Sequence, residues 1–446
     1  MRTVITYGTY DLFHEGHRRL LERARALGDR LIVGVTSDAY DHTRGKLNVA
    51  QTLPDRIENV RRSGLADQII VEEYDGQKIH DIEKLGVDVF AIGSDWLGKW
   101  EHLRDYCEVV YLERTRGVSS TELRNEASGI LHLGLVGAGK RARIMTKEAR
   151  YVSGVSVEAV WDPNRERAKK FAERMELNEA AEELSDLLSM VDAVYISGPF
   201  DERTDRIRTA LTAGVNVLAE PPLALNRPDY EELFRLAHRQ QVVLMEGVRT
   251  AFSPGFLRMV AYARSGSIGK IHSVQITSTR LVHKKSWLKT PYGGSLNVLG
   301  TYPLLTVVKL LGSDYEEVQS QMLRPSGVGV DMFTRVDLRY KDALASVSTG
   351  IGVASENDIR VTGSKGYLYV PDPWWRTDHF ETRFEDHKRN RSFFIPFEGG
   401  GQRYELADLA ARVRGTDLEA YQMSEKDSLA TAGIVDEARE SALVFG

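Results

Sequence analysis

The chain has 446 residues, a length that predicts two or three domains, and a formal net charge of -5 that gives no support for a nucleic-acid or anionic-membrane partner. Hydrophobic residues make up 42% and charged residues 28%, the balance of a globular protein. A single cysteine, Cys107, excludes an internal disulfide and favours a reducing compartment. The sequence opens directly into a strand, and no apolar run of about 18 residues occurs in it. We therefore expect a cytoplasmic protein.

Strands and helices alternate along the first 129 residues. The predicted strands of this series are Thr3–Tyr7, Leu31–Val35, Gln68–Val71, Val87–Ile92 and Val109–Leu112. The predicted helices between and after them are Gly16–Leu27, Asp55–Ser63, Gly76–Leu85 and Ser119–Glu126. Such alternation indicates a parallel sheet with helices on both faces.

A second alternating series starts at Leu131. Its predicted strands are Leu131–Val136, Val155–Trp161, Ala193–Ile196, Asn216–Ala219 and Val242–Met245. After about Thr250 longer β-rich runs predict a mixed or antiparallel sheet, and a helical tail follows from Tyr404 to about Ala442. The strongest helix of this region is predicted near Tyr302–Leu311, and its β-rich runs are Ile271–Ser278, Phe333–Tyr340, Ala343–Ile351 and Asp358–Val361.

These patterns predict an α/β chain of three domains. We place a Rossmann-like domain at 1–129, a second Rossmann domain at 130–250 and an α/β open-sheet domain at 251–446. The junction near residues 127–130, with the sequence ASGI, contains small residues and is too short for a flexible linker. We therefore expect the first two domains to be held close together.

The most informative stretch of the first domain is GTYDLFHEGH, which runs from Gly8 to His17. A strand ends at Gly8 and a helix opens at His14, so both imidazoles can point toward the strand ends. Gly16 leaves room for a phosphate at the helix N-terminus, where unpaired N–H groups and a partial positive charge attract anions. The pattern predicts a site for phosphate oxygens with two polar donors. The alternatives are a metal site or two ordinary histidines; since no further His/Cys cluster follows at ligand spacing, we assign no metal ligands.

A second helix start lies at Arg114–Thr121, with the sequence RTRGVSST. Ser119 and Glu122 form a capping box there. An ordinary capped helix explains those two residues, but it does not explain the arginines or Gly117. The stretch is therefore predicted to bind a triphosphate as well.

Together with GSDW at Gly93–Trp96, these stretches resemble the cytidylyltransferase family, most closely its members that act on glycerol 3-phosphate, over Met1 to about Asn125. The resemblance implies an HxGH nucleotidyltransferase that joins CMP from CTP, with Mg²⁺, to a polyol phosphate. It also implies that His14 and His17 hold the triphosphate and stabilise the transition state, and that Lys46 and Arg114 contact phosphates. The residues that it implies around the nucleotide are Gly8, Thr9, Tyr10, Gly16, Asp95, Trp96, Thr115, Ser119, Ser120 and Thr121.

Two departures from the family fall where the acceptor phosphate is expected. The stretch LNVAQTLPDR at 47–56 replaces a tyrosine- and histidine-rich stretch of the family. Close family members also have an arginine on the following helix; its position falls near Gly64 here, and Arg61 or Arg62 could replace it. The acceptor thus stays open among polyol phosphates. The same scaffold also transfers AMP, so ATP is the alternative nucleotide.

The second series opens with the fingerprint of a dinucleotide site. LHLGLVGAGKRA gives Gly137-x-Gly139-x-x-Ala142 between a strand and a helix, and Asp162 ends the next strand. Glycines let a pyrophosphate approach the helix start, and the carboxylate can bind a ribose hydroxyl. Arg165 could instead take a 2′-phosphate, so NAD and NADP both remain open.

From about Ile130 onward the chain resembles the Gfo/Idh/MocA oxidoreductase family, through GLVGAGKRA, AGVNVLAEPPLALN and GGSLNVLGTYPL. The family's Glu-Lys-Pro reads Glu220-Pro221-Pro222 here, its later aspartate falls on Val298, and its His or Tyr is kept as Tyr302. The proton donor for hydride transfer would be Tyr302, or one of Lys284, Lys285 and Lys289.

Two interpretations of this half follow. It is either a reductase that makes the polyol phosphate from a keto-sugar phosphate, or a catalytically dead scaffold attached to the cytidylyltransferase. The CDP-polyol would feed a cell-surface polymer of the teichoic-acid or capsular type. Both families imply a homo-dimer that works on small molecules.

Overall fold

The computed structural model describes residues 1–43, 46, 49, 51–74, 76–113, 129–281, 292–415 and 422–446. Internal contacts divide the chain into two compact units, Met1–Ala193 and Val194–Gly446. The first unit contains the predicted N-terminal domain together with the start of the second βα series.

A five-stranded sheet forms the N-terminal domain. Its strands are β1 (Thr3–Gly8), β2 (Arg30–Thr36), β3 (Gln68–Glu72), β4 (Val89–Gly93) and β5 (Glu108–Leu112). They lie in the order β3-β2-β1-β4-β5 and all pair in parallel, which confirms the predicted parallel sheet. The chain order reverses between β1 and β4, and in such sheets the crevice at that point, beyond the carboxyl ends of the strands, is where ligands bind.

Helices cover both faces of this sheet. They are α1 (Glu15–Arg25), α2 (Asp38–Thr43), α3 (Leu53–Arg62) and α4 (Gln77–Leu85). Consecutive residues of one strand enter different cores: Val4 packs with Leu21 and Val60, whereas Ile5 packs with Ile82. Because both faces are buried, these strands are apolar without alternation, as is typical of parallel sheets.

The second βα series continues the first unit. Its strands there are β6 (Leu131–Val136), β7 (Val155–Trp161) and β8 (Glu179–Ala180), paired in parallel in that order. The helices among them are α5 (Lys140–Ala149), α6 (Arg165–Met175) and α7 (Leu184–Met190). The turn from β6 into α5 is the predicted dinucleotide-binding turn.

The second unit opens with the rest of the series and then changes architecture. The series ends with β9 (Ala193–Ile196), α8 (Phe200–Thr212), β10 (Asn216–Ala219), α9 (Arg227–Gln240) and β11 (Leu244–Glu246), of which β10 and β11 pair in parallel. The helices that follow are α10 (Pro254–Arg264), α11 (Ser295–Leu299), α12 (Thr301–Leu311), α13 (Gln402–Val413) and α14 (Glu425–Glu440).

Within the described ranges of the second unit, nine strands form one sheet. They are β12 (Ile271–Arg280), β13 (Glu317–Leu323), β14 (Phe333–Arg339), β15 (Leu344–Ile351), β16 (Ile359–Gly363), β17 (Tyr367–Val370), β18 (His379–Arg383), β19 (Arg391–Phe394) and β20 (Ala442–Phe445). Their order is β19-β18-β17-β16-β12-β15-β14-β13-β20. The pairs β12–β15 and β13–β20 are parallel and the other pairs are antiparallel, so the predicted mixed sheet is confirmed.

The helical tail ends within two residues of its predicted end, and a strand that sequence analysis did not predict follows it. The last helix stops at Glu440, and Ala442–Phe445 pairs in parallel with β13 at the edge of the nine-stranded sheet. Four apolar residues are too few for their periodicity to distinguish a strand from a helix end. The open edge of β13, which is distant in the sequence, decides the conformation by accepting a further strand.

Candidate functional site

The loop between β1 and α1 carries the predicted phosphate site. Its residues Tyr10 and Leu12 have φ angles of 52° and 46°, in a region that residues other than glycine rarely adopt. The Tyr10 side chain is only 2% exposed, and its ring lies edge-on to the His17 ring with centroids 5.5 Å apart. A Cβ on Gly8 would lie 3.1 Å from the Tyr10 ring. Packing inside the turn therefore positions His17.

His14 caps α1 and faces His17. Its Nδ1 accepts a hydrogen bond of 3.0 Å from the Gly16 backbone N–H, which satisfies one of the free donors of the helix start. The His14 and His17 rings stack with centroids 3.9 Å apart and planes at 25°. A Cβ on Gly16 would lie 2.8 Å from the His14 ring, so the glycine is needed for this arrangement. The structure thus brings the two predicted histidines together at the helix N-terminus.

The His17 imidazole is neutral near pH 7. Burial lowers the pKa of His17 well below its ordinary value, and the nearby His14 and Lys46 lower it further. Its Nδ1 is buried and has no hydrogen-bond partner among the residues that the structure describes. A neutral imidazole carries one N–H donor and one acceptor nitrogen. This ring can therefore donate one N–H to a ligand oxygen without carrying a positive charge.

Lys46 lies close enough to this pair for its positive charge to lower the pKa of His17. Its Nζ donates a hydrogen bond of 2.7 Å to the backbone carbonyl of Arg150. The predicted phosphate-contacting lysine thus lies near the histidines, and its ammonium is fixed in part by a residue beyond the N-terminal domain.

The buried side chain of Arg56 joins three loops at this end of the sheet. Its guanidinium donates to the carbonyls of Thr9 at 2.7 Å, Thr36 at 2.8 Å and Gln51 at 3.1 Å, and it also pairs with Asp38. Sequence analysis missed this residue, because a charged residue early in a helix is ordinarily exposed. Thr9, one of the predicted nucleotide contacts, is held through its carbonyl by this network.

The GSDW stretch lies at the end of β4, the strand beside β1. Residues Ser94–Trp96 form a short 3₁₀ turn directly after Gly93. The Arg150 guanidinium donates to the Asp95 carbonyl oxygen and lies 3.4 Å from its carboxylate. The Trp96 ring meets the Tyr151 ring edge-on, with centroids 5.9 Å apart. Asp95 and Trp96 therefore lie at the reversal point of the sheet, as do the histidines.

Part of the predicted nucleotide site lies outside the described residues. The second predicted helix start, with the predicted site residues Arg114, Thr115, Ser119, Ser120 and Thr121, belongs to that part.

The predicted dinucleotide turn follows β6. Gly137 has a φ of 98°, which favours glycine, and Gly139 caps α5 with open space where a Cβ would lie. Ala142 is fully buried on α5. This geometry leaves the backbone at the helix start accessible to a pyrophosphate, as the fingerprint requires.

Asp162 organises the same turn. Burial opposes its ionisation, but hydrogen bonds from Arg167, at 2.6 Å, and from the backbone N–H groups of Ala138 and Asn164 lower the pKa of Asp162 overall. The Arg165 guanidinium donates instead to the Glu183 carboxylate. The arginine next to the Asp162 carboxylate is therefore Arg167, which sequence analysis did not consider.

A second cluster of polar residues lies in the second unit, around Glu220 at the end of β10. The buried Tyr195 hydroxyl donates to the Glu220 carboxylate, and the Gln402 amide donates to the Tyr195 oxygen at 2.7 Å. Arg249 lies 5.9 Å from the centroid of the Tyr302 ring. The electrostatic interaction with Tyr302 is the main cause that raises the pKa of Arg249. Burial opposes this rise, and the nearby Glu220 adds to it. Arg249 thus supplies a cation to this cluster that sequence analysis missed.

The departures from the oxidoreductase family fall at this cluster. Pro221 follows Glu220, and Val298 lies on α11, one turn before Tyr302. Neither side chain can exchange a proton. The alternative donors Lys284, Lys285 and Lys289 lie outside the described residues.

The described part of the chain contains neither a metal-ligand cluster nor a membrane-spanning helix. No group of three or more His, Cys, Asp or Glu side chains placed to hold a metal ion occurs in the described ranges. Of the helices that the structure describes, none is long and apolar enough to cross a membrane.

Comparison with family models divides the chain in three. A model described as cytidylyltransferase-like matches residues 5–129. A model of the GFO/IDH/MocA oxidoreductase family, NAD-binding Rossmann fold, matches residues 131–248. A model of the GFO/IDH/MocA C-terminal domain matches residues 256–369.

Individual relatives follow the same division. The chain is 44% identical over 130 residues to glycerol-3-phosphate cytidylyltransferase of Bacillus spizizenii, covering 29% of the chain and 100% of the relative. It is 27% identical over 307 residues to scyllo-inositol 2-dehydrogenase (NADP(+)) of Bacillus subtilis, covering 66% of the chain and 92% of the relative. A solved 3-ketoreductase of Actinomadura kijaniata, in complex with NADP and TDP-benzene, matches with 26% identity and a TM-score of 0.63, over 71% of this chain and 100% of that one.

Proposed function

Since the chain belongs to the cytidylyltransferase-like family through residues 5–129 and carries GFO/IDH/MocA oxidoreductase domains after them, we propose that its first domain transfers CMP from CTP to a polyol phosphate. The acceptor is glycerol 3-phosphate or a similar compound, and the products are a CDP-polyol and pyrophosphate. The single observation that carries the proposal is the stacked pair His14 and His17 at the start of α1, where the strand order reverses.

The proposed reaction is an in-line displacement. A phosphate oxygen of the acceptor attacks the α-phosphorus of CTP, the bond from that phosphorus to the bridging oxygen breaks, and pyrophosphate leaves. Positioning and charge stabilisation carry such a transfer without a covalent enzyme intermediate. His17, neutral and with a buried unpaired nitrogen, donates to a phosphate oxygen, and His14 acts beside it. Lys46 and Arg114 neutralise phosphate charge, and Mg²⁺ accompanies the triphosphate.

The test of this proposal is His17→Ala in the full chain. Removing a donor that acts on developing charge is expected to lower kcat about 10²- to 10³-fold, with the thermal unfolding midpoint little changed. Pyrophosphate release with CTP and glycerol 3-phosphate or a related polyol phosphate gives the rate. His102→Ala, at an exposed histidine of the same domain, is the matched control. A folded His17→Ala protein with normal turnover would remove the histidine pair from the mechanism.

For the second half we propose reduction of a keto-sugar phosphate to the polyol phosphate that the first domain uses. The Rossmann match and the NADP complex of the ketoreductase neighbour support a nicotinamide cofactor. The residues that would hold it are Gly137, Gly139 and Asp162. When bound, the reduced cofactor supplies a hydride to the carbonyl carbon. Tyr302 donates the proton to the carbonyl oxygen, and the Arg249 cation stabilises the tyrosinate that remains.

A catalytically inactive scaffold is the second candidate for this half. Pro221 and Val298 favour it, because the oxidoreductase family has a lysine and an aspartate there. Oxidation of NADPH or NADH by the full chain, with keto-sugar phosphates as substrates, separates the two. A reductase oxidises the cofactor and loses about 10²-fold in rate in Tyr302→Phe. A scaffold gives no oxidation with any of these substrates, while cytidylyl transfer continues.

A further inference from the structure

One loop of the second βα series contacts the residues proposed for nucleotidyl transfer. This Arg150 loop, residues Arg150–Ser153, follows α5 directly and lies inside the first compact unit. It packs against the ends of β1 and β4, where the proposed site lies. None of its residues entered the sequence-based site, because they lie more than twenty residues beyond the cytidylyltransferase motifs.

Arg150 contacts two of the proposed site residues at once. Its carbonyl accepts the 2.7 Å hydrogen bond from Lys46 Nζ. Its guanidinium donates to the Asp95 carbonyl and lies 3.4 Å from the Asp95 carboxylate. Arg150 is also the C-cap of α5, so its carbonyl lies at the negative end of a helix, where a lysine ammonium is stabilised. An ammonium has three N–H donors, so this bond orients Lys46 without using all of them.

Two further contacts anchor the loop beside Arg150. Tyr151 meets the Trp96 ring edge-on, and the buried Ser153 hydroxyl donates to Asp11 at 2.5 Å. Asp11 lies in the turn between β1 and α1, and its other carboxylate oxygen accepts from the Gln51 backbone N–H at 2.9 Å. The loop therefore contacts the turn before the histidine pair, the lysine beside it and the GSDW turn.

The glycerol-3-phosphate cytidylyltransferase of Bacillus spizizenii has no counterpart of this loop. That relative is matched over its full length by 130 residues of this chain, and the Arg150 loop lies beyond them. The contacts of Arg150 with Lys46 and Asp95 are thus additions made by the second domain.

We propose that Arg150 is a positioning residue of the nucleotidyltransferase site, supplied by the Rossmann domain. It holds the Lys46 ammonium through its carbonyl and the Asp95–Trp96 turn through its guanidinium, so that the lysine is set for the substrate phosphates and the turn for the bound nucleotide. The inference rests on the proposed cytidylyl transfer. It makes the second domain a structural part of the first active site, whether or not that domain reduces a substrate.

The test compares Arg150→Ala with Lys147→Ala in the full chain. Lys147 is an exposed basic residue on α5, one turn before Arg150, and serves as the matched control. Steady-state kcat and KM are measured for CTP and for the polyol phosphate, and thermal unfolding checks the fold. Arg150→Ala removes the guanidinium contacts with Asp95 and keeps the backbone carbonyl that accepts from Lys46. We expect it to raise the KM of at least one substrate about tenfold, with kcat within about twofold, because a displaced Asp95–Trp96 turn weakens binding in both ground and transition states. Lys147→Ala should match the wild type.

The outcomes separate this inference from the proposed function. A wild-type chain that releases no pyrophosphate with any nucleotide defeats the proposed function itself. Given an active wild type, a folded Arg150→Ala with unchanged KM for both substrates overturns the positioning role and leaves the transfer intact. Arg150→Gln decides on the same two constants if the alanine variant does not fold, because it keeps a polar side chain and loses the charged, forked donor set.

Discussion

His17 is a histidine whose surroundings keep it uncharged. Burial is the main cause of its lowered pKa, and the proximity of His14 and Lys46 adds to it. Two stacked imidazoles beside an ammonium would repel one another strongly if both were protonated. A neutral ring avoids that repulsion and still offers an N–H to a phosphate oxygen.

The lowered pKa of His17 predicts a stability change with pH. The unfolded chain takes up a proton at His17 near the ordinary histidine pKa of about 6.5, whereas the folded chain does not until a lower pH. Between those values the unfolded state binds more protons, so the free energy of unfolding falls as the pH drops below about 6.5, by up to about 1.4 kcal/mol per pH unit.

Replacing His17 by Asn should remove that loss. Denaturant unfolding at about pH 7.5 and about pH 5 is expected to show a smaller decline for His17→Asn than for the wild type. His102→Asn, at an exposed site, is the control. An equal decline in the wild type and in His17→Asn would contradict a buried neutral His17.

The site residues that could be predicted are those that lie together in one short segment, where their spacing indicates their function. His14, Gly16 and His17 share a single helix start, so their spacing alone indicates a phosphate site. Arg56, Arg150 and Arg249 could not be predicted in this way. Each reaches its partners across the fold, as when Arg150 meets Lys46 more than a hundred residues away.

At the scale of secondary-structure elements, the start of α3 connects three loops through Arg56. Thr52 is the N-cap of helix α3, and its side chain accepts from the Asp55 backbone N–H. Arg56 lies in the first turn of the helix, and its side chain reaches back to the carboxyl ends of β1 and β2. The guanidinium there donates to the backbone carbonyls of Thr9 and Thr36. Arg56 therefore stabilises the loops that carry the proposed site.

Loss of this connection has a predictable cost. Arg56→Ala leaves buried carbonyls without a donor and Asp38 without its cation, so the free energy of unfolding should fall by about 3 kcal/mol. Arg62→Ala changes an exposed arginine of the same helix, which pairs with Glu58 at the surface, and should cost less than about 0.5 kcal/mol. Equilibrium unfolding in denaturant measures both. Equal effects of the two substitutions would contradict the role given to Arg56.

The elements themselves were largely predictable, since most are long enough for their pattern to show. The parallel strands of the first domain and the strands β6, β9 and β10 were expected close to their observed bounds. Strand β20 was not, because its conformation depends on β13, more than a hundred residues earlier in the chain. Periodicity reports which face of an element is buried, and it carries little information about a short segment that completes a sheet edge.

At the scale of the whole molecule, two enzyme families share one chain. The cytidylyltransferase-like domain aligns with the whole length of the Bacillus spizizenii relative, whereas here its proposed site also receives the Arg150 loop. The GFO/IDH/MocA half keeps the dinucleotide turn and Tyr302, yet has Pro221 and Val298 at two family positions. The proposal that one half makes the acceptor that the other half activates would account for the presence of both.

Cytidylyl transfer is tested most directly by pyrophosphate release from the purified full chain. CTP or ATP is supplied with a panel of polyol phosphates and keto-sugar phosphates, with and without NADPH, and the nucleotide product is identified by mass spectrometry. We predict release with CTP and a polyol phosphate alone, release with the matching keto-sugar phosphate only when NADPH is present, and a CDP-polyol as the product of both. Release that requires ATP, or no release with CTP and any polyol phosphate, would contradict the function proposed for the first domain.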